Sequence, residues 1–347
     1  MDDVTPVRDN HRFDDARLEH YLRDHMPDFH GPLIVRQFVG GQSNPTFMLE
    51  TPAARFVMRK KPPGTLLQSA HAVEREYRII KALAATDVPV PRVHLLCEDA
   101  DVIGTAFFVM DFVDGRIMRD PVMPDSNPRE RAACYDSMND VLARLHKVYF
   151  RAVGLGEYGR PQAYVQRQLA RWSKQYEASK TGEIPEMDQL IEWLNARIPA
   201  DETTIAHGDY RMENLIFHPV EPRVVAVLDW ELSTLGHPLS DLAWASRAYY
   251  CPPGIDGVQS FQGMDLAATG IPSEQEFMAA YCRRVGRSSV PDLTFFVAFS
   301  FFRGAAISQG IAMRAKLGNA SGPDAALRGA KARQTAEIGW AIAQKAS

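Results

Sequence analysis

The sequence predicts an α+β fold in two parts. A small antiparallel sheet with one long helix fills residues 1–112, and a larger, mostly helical part fills residues 113–347. Three observations predict this. Short runs of strand formers, bounded by Gly, Pro and Asn, crowd into the first part. Apolar residues at three- and four-residue spacing dominate the second. Three further short apolar runs near residues 204–228 interrupt the helices and carry a dense set of polar residues on their turns.

Taken in order, Asp14–Met26 reads as a helix. Leu18, Leu22 and Met26 share one side, Asp14 is placed to cap the start, and Gly31-Pro32 lies beyond the end. Strands follow at Leu33–Phe38, Thr46–Glu50 and Arg55–Arg59, joined by Gly40-Gly41-Gln42-Ser43-Asn44 and by Thr51-Pro52-Ala53-Ala54. Pro62-Pro63-Gly64 breaks the sheet. His71–Ala84 is helical, with Val73, Tyr77, Ile80 and Leu83 on one side, and strands return at Val93–Leu96 and Ala106–Phe112. Asp114-Gly115 suits a turn leading out.

The second part reads as helices at Pro128–Val148, Pro161–Ser179 and Glu186–Ile198. Short strands follow at Thr204–Ala206, Leu215–Phe217 and Val224–Leu228. Helices resume at Leu239–Tyr249, Ser273–Val285, Leu293–Lys316 and Ala325–Ala346. Cys251–Pro272 reads as one long loop, rich in Gly, Pro and polar residues, and loops of that length are usually functional. The most apolar window, Leu293–Met313, contains Arg303, Ser300, Ser308 and Gln309 and suits a buried core helix better than a membrane span.

Composition sets the outer bounds. A content of 46% apolar and 24% charged residues is that of a globular protein, and a formal net charge of -4 argues against a nucleic-acid or anionic-membrane partner. Cys97, Cys134, Cys251 and Cys282 have neither metal-site nor redox spacing, so reduced, buried thiols are expected. With no apolar signal-type segment near the start, a cytoplasmic location is the expectation.

The chemistry concentrates in His207-Gly208-Asp209-Tyr210-Arg211-Met212-Glu213-Asn214 and in Asp229, which closes the run Val224-Val225-Ala226-Val227-Leu228. An Asp, an Asn five residues on, and a second Asp after an apolar strand suit metal–nucleotide phosphoryl transfer. Asp209 is the candidate base, accepting the proton of an attacking alcohol. Asn214 and Asp229 offer oxygen ligands to Mg²⁺, a hard cation that keeps several waters. His207 has two readings, contact with substrate or packing that fixes the turn, and packing is favoured because Asp209 supplies the base. A lone His-Gly-Asp is more often a capped turn; the joint spacing favours the catalytic reading.

The first part supplies what such a site requires. Gly40, Gly41, Ser43 and Asn44 lie between two strands, where backbone N–H groups can cover phosphates, although Gly-Gly in a hairpin is usually only a turn. Arg59 ends a strand in a cation suited to phosphate. Successive strand residues face opposite ways, so Arg59 and Lys61 share one face and Lys60 takes the other. Arg59 is favoured, with Lys60 as the alternative. Glu76, in the helix, can pair with that cation, while Glu74 reads as a surface residue. Backbone near Asp111 to Val113 is placed to meet an adenine edge, a reading from chain position alone.

Together these segments resemble the aminoglycoside phosphotransferase, or choline-kinase-like, family of small-molecule kinases. The resemblance spans roughly Gly31–Trp244 and rests on GGQSN, FVMRKKPPG, EREYRIIKAL, FFVMDFVDG, LARLH, HGDYRMENLIF and VLDWELSTLGHPLSDLAW. Protein kinases match less well, since Gly208 replaces an Arg and Trp230-Glu231 replaces Phe-Gly. The resemblance implies a two-lobed protein-kinase-like fold that uses ATP and Mg²⁺, with Asp209 as base, Asn214 and Asp229 as metal ligands and Asp241 as a structural residue. Arg59 stands where many members have Lys. KKPPGTLLQSAHAVEREYRIIKAL and DWELSTLGHPLSDLAW are closer still to the kinase-like domain fused to some acyl-CoA dehydrogenases.

That similarity points to a small-molecule hydroxyl acceptor, such as a hydroxyacyl or other hydroxylated metabolite. Arg167, Arg171, Arg303 and Arg314 in the second part suit an anionic acceptor better than a cationic aminoglycoside. An aminoglycoside phosphotransferase proper, a nucleotide-binding pseudokinase and a metal-dependent hydrolase using His207 and Asp209 are the competing readings. Oligomeric state is open, a homodimer among the options.

Overall fold

The computed structural model describes residues 4–39, 44–62, 72–253, 260–317 and 329–346. The chain divides into two units: Met1–Gly115 with Val225–Glu231, and Arg116–Val224 with Leu232–Ser347. The sequence places its single boundary after Phe112 and keeps the first part contiguous. The structure instead returns Val225–Glu231 to the first unit. Val227 N–H donates to Pro89 O at 2.9 Å, and the acids after it pair with Arg59.

In the first unit, β1 (Val4–Thr5), β2 (Ile34–Phe38), β3 (Thr46–Glu50), β4 (Arg55–Lys60), β5 (Val93–Cys97) and β6 (Phe107–Asp111) form one sheet. Its order is β1-β2-β3-β4-β6-β5, antiparallel at every step. Helix α1 (Asp15–His25) starts where Asp14 accepts the Arg17 N–H at 3.0 Å, as its position predicts. Helix α2 (Val73–Leu83) buries Val73, Glu76, Ile79, Ile80 and Leu83, while the expected Tyr77 sits half-buried at the edge of that face. The two-residue β1 and the one-turn α3 (Ala100–Ile103) are too short for a periodic signal and were not expected.

Strand alternation decides what β4 presents. Phe56 and Met58 join Leu18, Leu22, Phe47 and Phe107 in the core. Lys60 has their parity and lies over the Phe13 and Phe47 rings, 5.0 and 5.7 Å from their centroids. Arg59 and Lys61 have the opposite parity and meet Glu76 and Glu74, both on α2.

The second unit is helical: α4 (Pro128–Lys147), α5 (Tyr164–Ser179), α6 (Pro185–Asn195), α7 (Pro238–Ala245), α8 (Leu266–Thr269), α9 (Glu274–Val285), α10 (Leu293–Lys316) and α11 (Ala332–Lys345). Helix α5 begins later than the expected Pro161 because Ala163 is left-handed at φ 53, its N–H taken by Asp201 Oδ2 at 2.8 Å. Helix α7 ends early, where the Ser246 hydroxyl donates back to Leu242 O at 2.8 Å; a 3-10 turn follows at Arg247–Tyr249. The expected loop Cys251–Pro272 contains α8, and the expected helix start at Ala325 lies outside the described residues. By length and composition α10 is apolar enough to cross a membrane. It is instead a core helix, with 78% of its apolar window buried, and it packs on α5, α6, α7 and α11.

Candidate active site

Asp209 follows β7 (Thr204–Ala206), which precedes β8 (Leu215–Phe217) and β9 (Val224–Val227) in the chain and pairs antiparallel with the unexpected β10 (Thr234–Gly236). Between strand and Asp209, Gly208 has φ 84, and a Cβ there would come 2.6 Å from Leu232 O. Only glycine meets both conditions. The buried Asp241 of α7 accepts the His207 and Gly208 N–H groups at 2.6 and 2.8 Å, so one carboxylate holds the turn. His146 Nε2 lies 3.4 Å from the same carboxylate. Burial would push Asp241 up, but His146, His207 and the Gly208 N–H hold it below the usual carboxylate range. Tyr210 completes the anchoring by donating to Met138 O at 2.8 Å.

The Asp209 side chain is in turn positioned on both oxygens. Trp244 Nε1–H donates to Oδ1 at 2.6 Å and Asn214 Nδ2–H to Oδ2 at 3.0 Å. Arg211 Nε lies 3.4 Å from Oδ2. Asn214 Nδ2–H also donates to Asp209 O at 2.8 Å, so its amide N–H groups are directed at Asp209. His207 is fully buried and accepts the Asp209 N–H at 3.2 Å, the packing role its sequence position suggested. Asp241 and Trp244 are the residues that spacing alone did not mark as holding the base. Their signal is an Asp and a Trp three apart on an otherwise apolar helix, PLSDLAWA.

The other charged cluster lies within the first unit. Arg59, 7% exposed, pairs with the buried Glu76, reaches Asp229 Oδ1 at 3.2 Å and has Glu231 Oε2 at 3.7 Å. Asn44 Nδ2–H donates to that Glu231 oxygen at 3.4 Å. Burial would lower the Arg59 pKa, but the three carboxylates outweigh it and hold the guanidinium above its ordinary value. Glu76 is pushed up to about 7: burial raises it, Arg59 opposes, and Asp229 and Glu231 add to the rise. Asp229 itself has φ 63, a left-handed backbone that Asp tolerates better than most residues. Trp230, fully buried, locks that turn by donating Nε1–H to Val227 O at 2.9 Å.

The structure therefore groups Asn44, Arg59, Glu76 and Asp229 in one unit, and Asp209 with Asn214 in the other. Lys60, the alternative phosphate cation, is instead buried on the opposite face of β4, where desolvation lowers its pKa. Asp111 closes β6, with His94 Nε2 2.5 Å from its Oδ1, and its N–H already donates to Arg92 O at 2.8 Å. Val113 is half-buried two residues on. Gly40, Gly41 and Ser43 lie outside the described residues. Glu231, a third carboxylate on Arg59, was not anticipated.

The first-unit cluster suits a nucleotide and a divalent cation. Three carboxylates share one guanidinium, leaving an excess of negative charge for a metal to offset. Arg59 Nε and Asn44 Oδ1 are buried with no hydrogen-bond partner among the described residues. Among those residues no group of three or more His, Cys, Asp and Glu side chains, this cluster included, is arranged to hold a metal.

Comparison with known proteins gives a consistent result. Residues 34–277 match the model of the Phosphotransferase enzyme family. Acyl-CoA dehydrogenase family member 10 of Mus musculus is 44% identical over 342 residues, covering 98% of this chain but 32% of that protein. A crystal structure from Ralstonia eutropha JMP134, named for the aminoglycoside phosphotransferases, superposes with TM-score 0.88 at 50% identity and covers 96% of this chain and 99% of that one. A thermostable aminoglycoside phosphotransferase APH(4)-Ia, in complex with ADP and hygromycin B, shares the fold at TM-score 0.61 and 13% identity, with 95% and 98% coverage.

Proposed function

Because the chain belongs to the phosphotransferase enzyme family, we propose that it transfers the γ-phosphate of ATP to a hydroxyl of a small molecule. The observation that carries the reading is the Asp209 carboxylate, oriented through both oxygens by Trp244 and Asn214 on a turn that Asp241 fixes. In this reading Asp209 accepts the proton of the attacking alcohol as its oxygen bonds to phosphorus and ADP departs. Arg59, kept charged by Glu76 and its neighbouring acids, meets the phosphates. Asp229 and the Asn214 amide oxygen supply the donors for Mg²⁺, which offsets the phosphate charge. Asn44, Gly40, Gly41 and Ser43 are assigned to the phosphates, and backbone at Asp111 to Val113 to the adenine.

The similarity to proteins named for acyl-CoA dehydrogenases favours a hydroxyacyl or other hydroxylated metabolite as acceptor. The test is a phosphate-transfer screen over a metabolite library with Asp209→Asn as the blank. Transfer should fall by about 10²–10⁴-fold in that variant, the usual contribution of a general base. Mg²⁺-ATP at a hundred times its Kd should stabilise both wild type and Asp209→Asn by about 2.7 kcal/mol. In Asp229→Ala that stabilisation should largely vanish. Stabilisation without transfer to any acceptor would make the chain a nucleotide-binding pseudokinase; no stabilisation by millimolar nucleotide would sink both readings.

A further inference from the structure

Trp244, whose indole N–H reaches Asp209, is flanked by two arginines. The Arg247 guanidinium carbon lies 4.7 Å from the Trp244 ring and 4.5 Å from that of Phe301, and its Nη1–H donates to Ser300 O at 3.0 Å. Gly304 admits it, since a Cβ there would come 2.6 Å from Nη1. Arg247 is thus a fixed part of the wall.

Arg303 differs. Its guanidinium carbon lies 4.5 Å from the Trp244 ring and 5.7 Å from that of Trp172. It has no hydrogen-bond or ion-pair partner among the described residues, yet it is partly exposed and so reachable by a solute. Desolvation lowers its pKa, only partly offset by Tyr164, Asp209 and Asp241, but an arginine remains charged at neutral pH. The other three arginines that the sequence singled out differ: Arg167 donates to Arg160 O at 2.5 Å, Arg171 lies 5.3 Å from the Trp172 ring but is exposed, and Arg314 is exposed. Stacking on aromatic faces compensates part of the desolvation but leaves the planar fork of N–H donors without acceptors. That fork matches a carboxylate or phosphate.

We propose that Arg303 is an acceptor-binding residue that holds an anionic oxyacid group of the acceptor beside Asp209, so that the substrate is an anionic alcohol. This rests on the phosphotransferase reading. The indole of Trp244 connects the two functions. Its edge orients the base and its ring supports the arginine, so the anion is recognised close to where the hydroxyl loses its proton.

The test uses matched acceptors with Mg²⁺-ATP. Straight-chain hydroxycarboxylates of three to six carbons are set against their neutral amides, and glycerol phosphate against glycerol, which separates a carboxylate from a phosphate. Wild type should prefer the anionic member of at least one pair. Arg303→Gln should raise KM for that anion by about 10- to 100-fold, as loss of a charge-assisted pair does. It should leave kcat nearly unchanged and the neutral partner unaffected, and Arg303→Lys should recover part of the loss. In parallel, tryptophan fluorescence titrated with the same anions should respond in wild type and not in Arg303→Gln. Equal use of anionic and neutral acceptors overturns the proposal. So does an equal loss on both in Arg303→Gln, or the absence of both turnover and fluorescence response. Stabilisation by Mg²⁺-ATP is followed in every variant. If it persists, together with transfer to some acceptor, while the anion preference is absent, the phosphotransferase reading stands and the assignment of Arg303 falls.

Discussion

In the first unit one guanidinium, Arg59, serves Glu76, Asp229 and Glu231. In the second, one carboxylate, Asp241, serves two backbone N–H groups and faces a histidine. Both clusters are built from charged groups that the core partly or wholly buries, but their bonding states are opposite. In the Asp209 turn the His207 and Gly208 N–H groups and both Asp209 carboxylate oxygens are matched, with Arg211 Nε the buried atom left over, so the base is oriented before any ligand arrives. The Arg59 cluster is over-supplied with negative charge, retains unpartnered polar atoms and runs through a left-handed Asp229. Preorganisation suits a base that must be in place when the alcohol arrives. Unmet electrostatic demand suits a region that takes up a cation and a polyphosphate.

The sharpest way to break that comparison is to delete one acid from each cluster. Asp241→Ala leaves two buried N–H groups without acceptors and should destabilise the protein by about 3–5 kcal/mol, measured by urea unfolding. Glu231→Ala removes one of three carboxylates competing for Arg59 and should change stability by less than about 1 kcal/mol. Similar losses in both variants would mean that the contrast between the clusters does not exist.

The clusters should also answer pH in opposite senses. His237 caps α7, which carries Asp241 and Trp244. Its Nδ1 accepts the Leu239 N–H at 3.2 Å, and burial lowers its pKa to about 4. The unfolded chain therefore takes up the extra proton first. Stability falls as pH drops from 6.5 to about 4, by on the order of 3 kcal/mol, and levels off below. Glu76 is raised to about 7, so its contribution is fully present below pH 4.5 and is lost as pH rises towards 7. Melting curves across this range should show His237→Gln removing the acid-side loss and Glu76→Gln removing the loss on the rising side. Parallel pH profiles for the two variants would contradict the assignment. The smallest effect is expected for Trp244→Phe, which keeps an aromatic ring but removes the N–H to Asp209. It should lower kcat by about tenfold, with the Mg²⁺-ATP stabilisation unchanged.

Much of this was legible in the sequence where the relevant contacts are local. The parity of Arg59, Lys60 and Lys61 follows from the strand period, and the capping of α1 from Asp14. The motif that carries Asp209 and Asn214 was marked by its spacing, although the hydrogen bond between them was not. What was not legible depends on residues far apart in the chain. Asp241 reaches back to His207 and Gly208, and Trp244 to Asp209, through bonds whose partners the Asp-Trp spacing on α7 does not identify. Glu231 is recognisable as a third acid only once the chain has returned to β4. Strand β10 is three residues long and is defined by its pairing with β7 rather than by an apolar pattern of its own.

The return of Val225–Glu231 to the first unit has a consequence for how the protein is made. A fragment ending at Gly115 would contain Arg59 and Glu76 but lack the Asp229 and Glu231 that complete their cluster. The first unit is not a detachable cassette, and swapping it between relatives by a single crossover would sever the cluster. On the ribosome its last piece emerges only after the whole of the second unit's first stretch has been made, on the order of ten seconds later at ordinary elongation rates. For that interval the nascent sheet holds a buried arginine and glutamate whose remaining partners have yet to be synthesised.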